Sequence, residues 1–168
     1  MNVGVIHGRF QPFHLEHQTC LEWVSGQADE IVVGITNPDP ADRTPNDSAP
    51  HRHLADANPF PYYLRSRMVQ SASEDLGIDP HRIVVVPFPL NRPESWDSYF
   101  PRNATHFVTI LSEWEEYKAA RLEEYGLKVL RKTATRSISG TEIRRRLRES
   151  QPISGLVSPA VEELIRRS

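Results

Sequence analysis

The sequence predicts an α/β protein built on a doubly wound parallel sheet of about five strands. Two observations carry this. Runs such as Val3–Ile6 and Ile83–Phe88 are almost unbroken in apolar residues, as strands covered on both faces are. Between the strands lie longer stretches with helical spacing and recognisable caps, and such alternation implies parallel strands joined by right-handed crossovers. A length of 168 residues with 38% hydrophobic content suits one domain, spanning the whole chain, with a core of its own.

Val3–Ile6 reads as the first strand, and Gly8 permits a tight turn off its end. Pro12 suits the opening of a helix on which His17, Cys20, Leu21 and Val24 fall at i, i+3, i+4 and i+7; Cys20 is read as packing, and the helix should stop near Gly26. Glu30–Ile35 is the second strand, with Thr36 and Asn37 at its C-terminal end, where open α/β sheets place ligands. Residues 38–58 are rich in Pro, Asp, Asn and His and are expected to be a mobile loop or lid. Asn58 and Pro59 read as the N-cap and first residue of a helix that runs to about Leu76 and is ended by Gly77. Ile83–Phe88 follows as the third strand, then a segment without period, residues 89–102, holding Trp96 and Tyr99. Thr105–Leu111 is the fourth strand, Ser112 caps a helix from Glu113 to about Tyr125, and Leu127–Leu130 is a short fifth strand. Ser139 and Glu142 have capping-box spacing at the head of a helix from Gly140 to Glu149, and Ser158-Pro159 opens the last helix of a C-terminal helical segment, residues 150–168.

Composition removes several function classes. A net charge of −2 gives no global attraction for nucleic acid, and a single cysteine excludes an internal disulfide. There is no signal-peptide pattern and no apolar run near 18 residues, so a cytoplasmic protein with no membrane partner is expected. His51 and His53, separated by one residue and without a third ligand in view, are read as loop surface, and no metal-ligating set is assigned.

Two stretches carry chemistry. In Gly8-Arg9-Phe10-Gln11-Pro12-Phe13-His14-Leu15-Glu16-His17, the two histidines share the first turn of a helix, where free N–H groups and the positive dipole end attract anions. In Ile138-Ser139-Gly140-Thr141-Glu142-Ile143-Arg144, two hydroxyls and an arginine stand on the first turns of another helix. Both helix ends could face one polyphosphate. Arg145, Arg146 and Arg148 are read as the wet face of the second helix.

Together these stretches resemble the signatures of the nucleotidyltransferase superfamily, an H-x-G-H-type motif after the first strand and an I-S-x-T-x-I-R-type motif near the end, and look most like archaeal-type nicotinamide mononucleotide adenylyltransferases. The resemblance implies a Rossmann-like fold, whereas strand–helix alternation by itself also fits a flavodoxin-like sheet. It further implies that an acceptor phosphate oxygen attacks the α-phosphorus of a nucleoside triphosphate and releases pyrophosphate, a reaction needing no protein nucleophile. His14, His17 and Arg144 would then be catalytic. Gly8, Arg9, Phe10, Gln11, Ser139, Gly140 and Thr141 would bind the nucleotide and its phosphates. Asn37, Trp96 and Trp114 are the acceptor-binding candidates, with core packing the plain alternative for either tryptophan. Mg²⁺ is expected on the triphosphate. The partners are a nucleoside triphosphate and a small anionic acceptor, and a homo-oligomer is expected.

The first substrate reading is ATP with nicotinamide mononucleotide, giving NAD. The alternative is CTP joined to a small phosphate or phosphonate, suggested by Ser112-Glu113-Trp114-Glu115-Glu116-Tyr117-Lys118, which loosely resembles a D-D-W-E-G-K stretch of small cytidylyltransferases. A non-catalytic nucleotide binder is the third. Glu16 stands where the motif has glycine, so its carboxylate must point outward, pair with an arginine such as Arg9, or face a metal.

Overall fold

The computed structural model describes all residues of the chain except 46 and 48. Ten main elements follow one another: β1 (Val3–Gly8), α1 (Leu15–Ser25), β2 (Glu30–Ile35), α2 (Tyr62–Asp75), β3 (Ile83–Pro87), β4 (Thr105–Ile110), α3 (Glu113–Glu124), β5 (Lys128–Thr133), α4 (Gly140–Arg148) and α5 (Pro159–Arg167). The strands form one parallel sheet in the order β3-β2-β1-β4-β5. Strand order reverses between β1 and its neighbours β2 and β4, which leaves a crevice above the C-terminal ends of these strands.

Alternate residues of the inner strands β1, β2 and β4 feed two cores. Ile6, Ile31, Val33, Ile35 and Phe107 join Leu21, Val24, Met68, Val69, Ala72, Ile143 and Val161 of the helices on one face. Val3, Val5, Val32 and Val108 meet Phe88, Trp96, Phe100, Ala119 and Leu122 on the other. Burial on both sides is why the strands read as continuous apolar runs.

Three expectations about the elements are corrected. The second helix begins at Tyr62, three residues past Pro59, and Asn58 is no cap: its amide donates to the carbonyls of Arg52 (2.8 Å) and Leu54 (2.7 Å). The Ser139–Glu142 capping box does not form, because Glu142 is taken by Arg145 (2.7 Å) and Arg146 (2.9 Å). The fifth strand runs to Thr133, three residues beyond its apolar start, since β4 offers it a full ladder from Thr105 to Ile110. Ser112 and Ser158 do cap their helices, accepting from Trp114 N and Val161 N, and Gly77 takes the left-handed conformation (φ 68°) that ends α2. Within residues 38–58, short 3₁₀ turns occupy Pro40–Asp42 and Ala55–Ala57, and Asp42 is paired with Arg92 at 2.8 Å.

Candidate active site

A cleft of about 610 Å³ opens where the ends of β1 and β4 meet the first turns of α1 and α4. Both sequence stretches line it, including Gly8, Arg9, Phe10, Gln11, His14, His17, Ser139, Gly140, Thr141 and Arg144.

The histidines are set by local packing. Phe10 is buried with a left-handed backbone (φ 52°), and its ring meets Phe13 at 4.9 Å and His17 edge-on at 4.9 Å. The rings of His14 and His17 stack with centroids 3.7 Å apart. His17 Nδ1 accepts the His14 backbone N–H (3.1 Å), so the ring proton belongs on Nε2. Burial, aided by His14, Lys118 and the arginines Arg136 and Arg52, holds His17 well below the usual imidazole value. Burial likewise pushes His14 down to about 4, against the pull of Glu16 and with that of Arg136. Both rings are therefore neutral hydrogen-bond donors at physiological pH.

The two motifs are tied together directly. Arg144 donates to the Gln11 carbonyl (2.8 Å) and to the Thr141 hydroxyl (3.1 Å). Gly140 sits so close to the first motif that a Cβ there would lie 3.1 Å from the Gln11 carbonyl oxygen, so a larger residue would press the start of α4 away from it. Glu16 supplies a second tie and answers the puzzle of its place in the motif. Its Oε1 accepts from Ser137 N (2.5 Å), Ser137 Oγ (3.1 Å) and Ile138 N (3.1 Å), while Oε2 is buried without a protein partner. Partial burial alone would raise its pKa, but the bonds from Ser137 and Ile138, with His14 nearby, lower it below the usual carboxylate value. The carboxylate neither pairs with Arg9 nor turns away; it braces the segment leading into α4.

Several predicted binders are diverted to structural work. The Gln11 amide is locked to Phe60, donating to its carbonyl and accepting its N–H, both at 2.9 Å. It fastens the chain before α2, which leaves one amide N–H without a protein partner among the described residues. Arg9 donates through Nη1 to the carbonyls of Ala57 (2.9 Å) and Arg52 (3.4 Å), holding the irregular segment against the cleft, and its buried Nε has no protein partner among the described residues. Trp96 is corrected most plainly. It is 2% exposed, packs its ring on Phe88 with centroids 5.2 Å apart, and donates its indole N–H to the Pro89 carbonyl (3.0 Å). A ring filling the second core has no face to offer an acceptor. Trp114 and Asn37, by contrast, line a smaller cavity of about 180 Å³ beside the main cleft, with Thr36, Leu90, Asn91, Tyr117 and Arg121.

Residues absent from the sequence-based set complete the site. Arg52, passed over as part of a loop surface, lines both cavities and lays its guanidinium over the Trp114 ring at 4.7 Å. Arg136 lines the main cleft and pairs with Glu115 (3.2 Å). Lys118 is 8% exposed on α3, within the cytidylyltransferase-like stretch. Behind it, His7 and His106 face each other across β1 and β4 at 3.4 Å, both buried. Two signals could have found Lys118: its place at the end of the stretch that resembles D-D-W-E-G-K, and its i+4 relation to Trp114, which puts both on one side of the helix. Arg9, Arg52, Lys118, Arg136 and Arg144 thus outnumber Glu16 and Glu115 along the cleft. They oppose one another: burial, then Arg52, Arg144 and Arg65, bring Arg9 down to about 9, and burial, then Arg136 and Arg144, bring Arg52 down to about 10 against the pull of Glu115. Such a cationic cleft in a chain of net negative charge is built for a polyanion.

Comparison with known proteins agrees with this geometry. The family model described as cytidylyltransferase-like matches residues 5–146. A phosphonoformate cytidylyltransferase of Streptomyces viridochromogenes is 39% identical over 165 residues, covering 97% of this chain and 90% of that protein. A nicotinamide-nucleotide adenylyltransferase of Thermococcus kodakarensis is 32% identical, covering 97% and 81%. Among solved structures, a bifunctional NMN adenylyltransferase/ADP ribose pyrophosphatase from Francisella tularensis superposes with a TM-score of 0.66 at 17% identity, over 98% of this chain and 52% of that one, and so shares the fold. With the sheet order, the paired motifs and these likenesses in agreement, the chain belongs to the cytidylyltransferase-like family of nucleotidyltransferases.

Proposed function

We propose that this enzyme transfers a cytidylyl group from CTP to a small phosphonate or phosphate acid and releases pyrophosphate. The observation that carries the acceptor choice is the cavity beside the main cleft: about 180 Å³, edged by Arg52 and Arg121, with the Trp114 face already covered by Arg52. It suits a compact anion better than a ribonucleotide carrying a flat ring, and Trp96, the ring expected to stack on nicotinamide, lies in the core. The 39% identity to a phosphonoformate cytidylyltransferase supports the same reading.

An acceptor oxyanion held near Arg52 and Asn37 attacks the α-phosphorus. As the new P–O bond forms, the bond to the bridging oxygen of the β-phosphate breaks, and its electron pair leaves on pyrophosphate. His17 Nε2–H, the His14 ring, the Thr141 hydroxyl and the free N–H groups at the head of α4 donate to the oxygens that gain charge. Arg144 positions these donors by joining Thr141 to Gln11. Mg²⁺ carried by triphosphate oxygens would neutralise the leaving group. Both Glu115 oxygens are engaged, by Arg136 and Ser112, and Glu16 Oε2 is buried, so the ion would be held chiefly by the triphosphate itself.

A second reading, ATP with nicotinamide mononucleotide, is favoured by the Gly-Arg-Phe-Gln-Pro-Phe-His stretch and by the 32% identity to the archaeal adenylyltransferase. The deciding experiment measures pyrophosphate release with each of four triphosphates against phosphonoformate, small phosphate monoesters and nicotinamide mononucleotide. CTP-dependent release with a small acid is expected. Turnover confined to ATP and nicotinamide mononucleotide would discard the cytidylyl reading.

A further inference from the structure

Lys118 is a buried cation without a counter-ion. Its side chain lines the main cleft, it is 8% exposed, and its ammonium donates to one acceptor, the carbonyl of His7 (3.1 Å). Among the described residues no acid stands within ion-pair distance of it. Glu115, one turn earlier, has its two oxygens on Arg136 and on Ser112 (2.5 Å). An ammonium has three N–H groups, so two are left without a protein acceptor among the described residues, in the lining of a cleft that holds several other cations. A charge removed from water without a partner is costly, and a fold keeps one where something else will pair with it. Two of the elements that surround it offer neutral groups, His7 on β1 and His106 on β4. His17 and Cys20 stand on α1, Arg52 on the irregular segment is a further cation, and Glu115 shares α3.

We propose that Lys118 binds a phosphoryl oxygen in the cleft, belonging either to the nucleotide's α-phosphate or to the phosphonate or phosphate of the acceptor. This assignment rests on the nucleotidyl-transfer reading above. The His7 carbonyl, near the end of the central strand, holds one N–H and keeps the ammonium in the cleft lining at the strand ends, where donor and acceptor would meet. Burial, helped by Arg52 and resisted by Glu115, lowers its pKa to about 8 in the ligand-free protein, and an arriving oxyanion would raise it.

The test uses Lys118→Met and Lys118→Arg in the full chain. Calorimetric titrations with CTP alone and with phosphonoformate alone read the two oxyanion sources separately, and pyrophosphate release reads the reaction. Lys118→Met is expected to fold with an unchanged or higher Tm and to lose about 100-fold in kcat/KM. A weakened Kd for CTP assigns the contact to the α-phosphate, and a weakened Kd for phosphonoformate assigns it to the acceptor. In the parent protein the affected binding constant should weaken above pH 8, and Lys118→Arg should abolish that limb because its charge does not titrate. If Lys118→Met leaves both binding constants and kcat/KM within twofold, the proposal is overturned. If Lys118→Met does not fold, an affected-ligand profile in Lys118→Arg identical to that of the parent overturns it equally. Should the parent turn over only ATP with nicotinamide mononucleotide, the same titrations with those two ligands decide the role of Lys118, while the cytidylyl reading fails on its own.

Discussion

Replacing Glu16 with alanine isolates the contact that holds the two halves of the phosphate site in register. One carboxylate oxygen accepts from Ser137 N, Ser137 Oγ and Ile138 N. Charge-assisted bonds contribute about 1.5–3 kcal/mol each when buried, but Ser137 is exposed and its donors can turn to water, so the sum must be discounted for solvent. What the variant chiefly loses is order: Ser137 and Ile138 become free in the ligand-free protein and must be fixed again when nucleotide binds, at roughly 1–2 kcal/mol per residue. A net penalty of about 2 kcal/mol corresponds to roughly a 30-fold rise in KM for the triphosphate, with kcat little changed because the Nε2–H of His17 is untouched. Glu16→Gln keeps a neutral acceptor and should raise KM by about fivefold. The carboxylate's pKa is lowered in the fold, so its contribution is present above the ordinary carboxylate value and fades as pH falls through the folded one. In the parent protein, KM should therefore climb only at strongly acid pH. Steady-state kinetics at saturating acceptor measures all of this. A KM within twofold of the parent for Glu16→Ala, in a protein of normal circular dichroism, would refute the bracing role.

Other perturbations have equally defined outcomes. His17→Ala should lower kcat by about 10²-fold through loss of a transition-state donor, and by freeing the His14 N–H it should also cost about 1 kcal/mol in thermal unfolding; an unchanged kcat would remove His17 from the mechanism. Trp96→Phe should lower stability by about 1–2 kcal/mol, through the lost bond to Pro89 and lost volume, and leave the acceptor KM alone; a tenfold rise in that KM would return Trp96 to the site. Arg52→Ala should raise the acceptor KM by about 10- to 100-fold, the worth of one charge-assisted contact, and an unaltered value would dissociate the smaller cavity from the acceptor. His7, His14, His17 and His106 are all held neutral by burial, with His14 and His106 at about 4. The unfolded chain takes up their protons near pH 6.5, so stability present above that value is lost as pH falls, by about 1.4 kcal/mol per histidine at pH 5.5. Urea midpoints that match at pH 7.5 and 5.5 would contradict this.

The sequence by itself determined the sheet and the chemistry of its mouth. Apolar runs such as Ile83–Phe88, alternating with helical stretches, let the approximate number of strands and their parallel sense be read, but not their order in the sheet. The starts of α1 and α4 could be read because motif residues are local in sequence, although the cap expected at α4 does not form. What a side chain does once both stretches are folded is not local. Only the tertiary structure decided that Glu16 braces a segment 121 residues away, that Gln11 is tied to Phe60, that Trp96 fills the core and that Arg52 covers Trp114. Nor could sequence place Lys118 under the His7 carbonyl, 111 residues distant. Periodicity tells which face of an element is wet, but the partner of a buried polar group is chosen by whichever strand or loop the topology brings beside it, and that choice separates residues that hold the cleft from residues free to work in it.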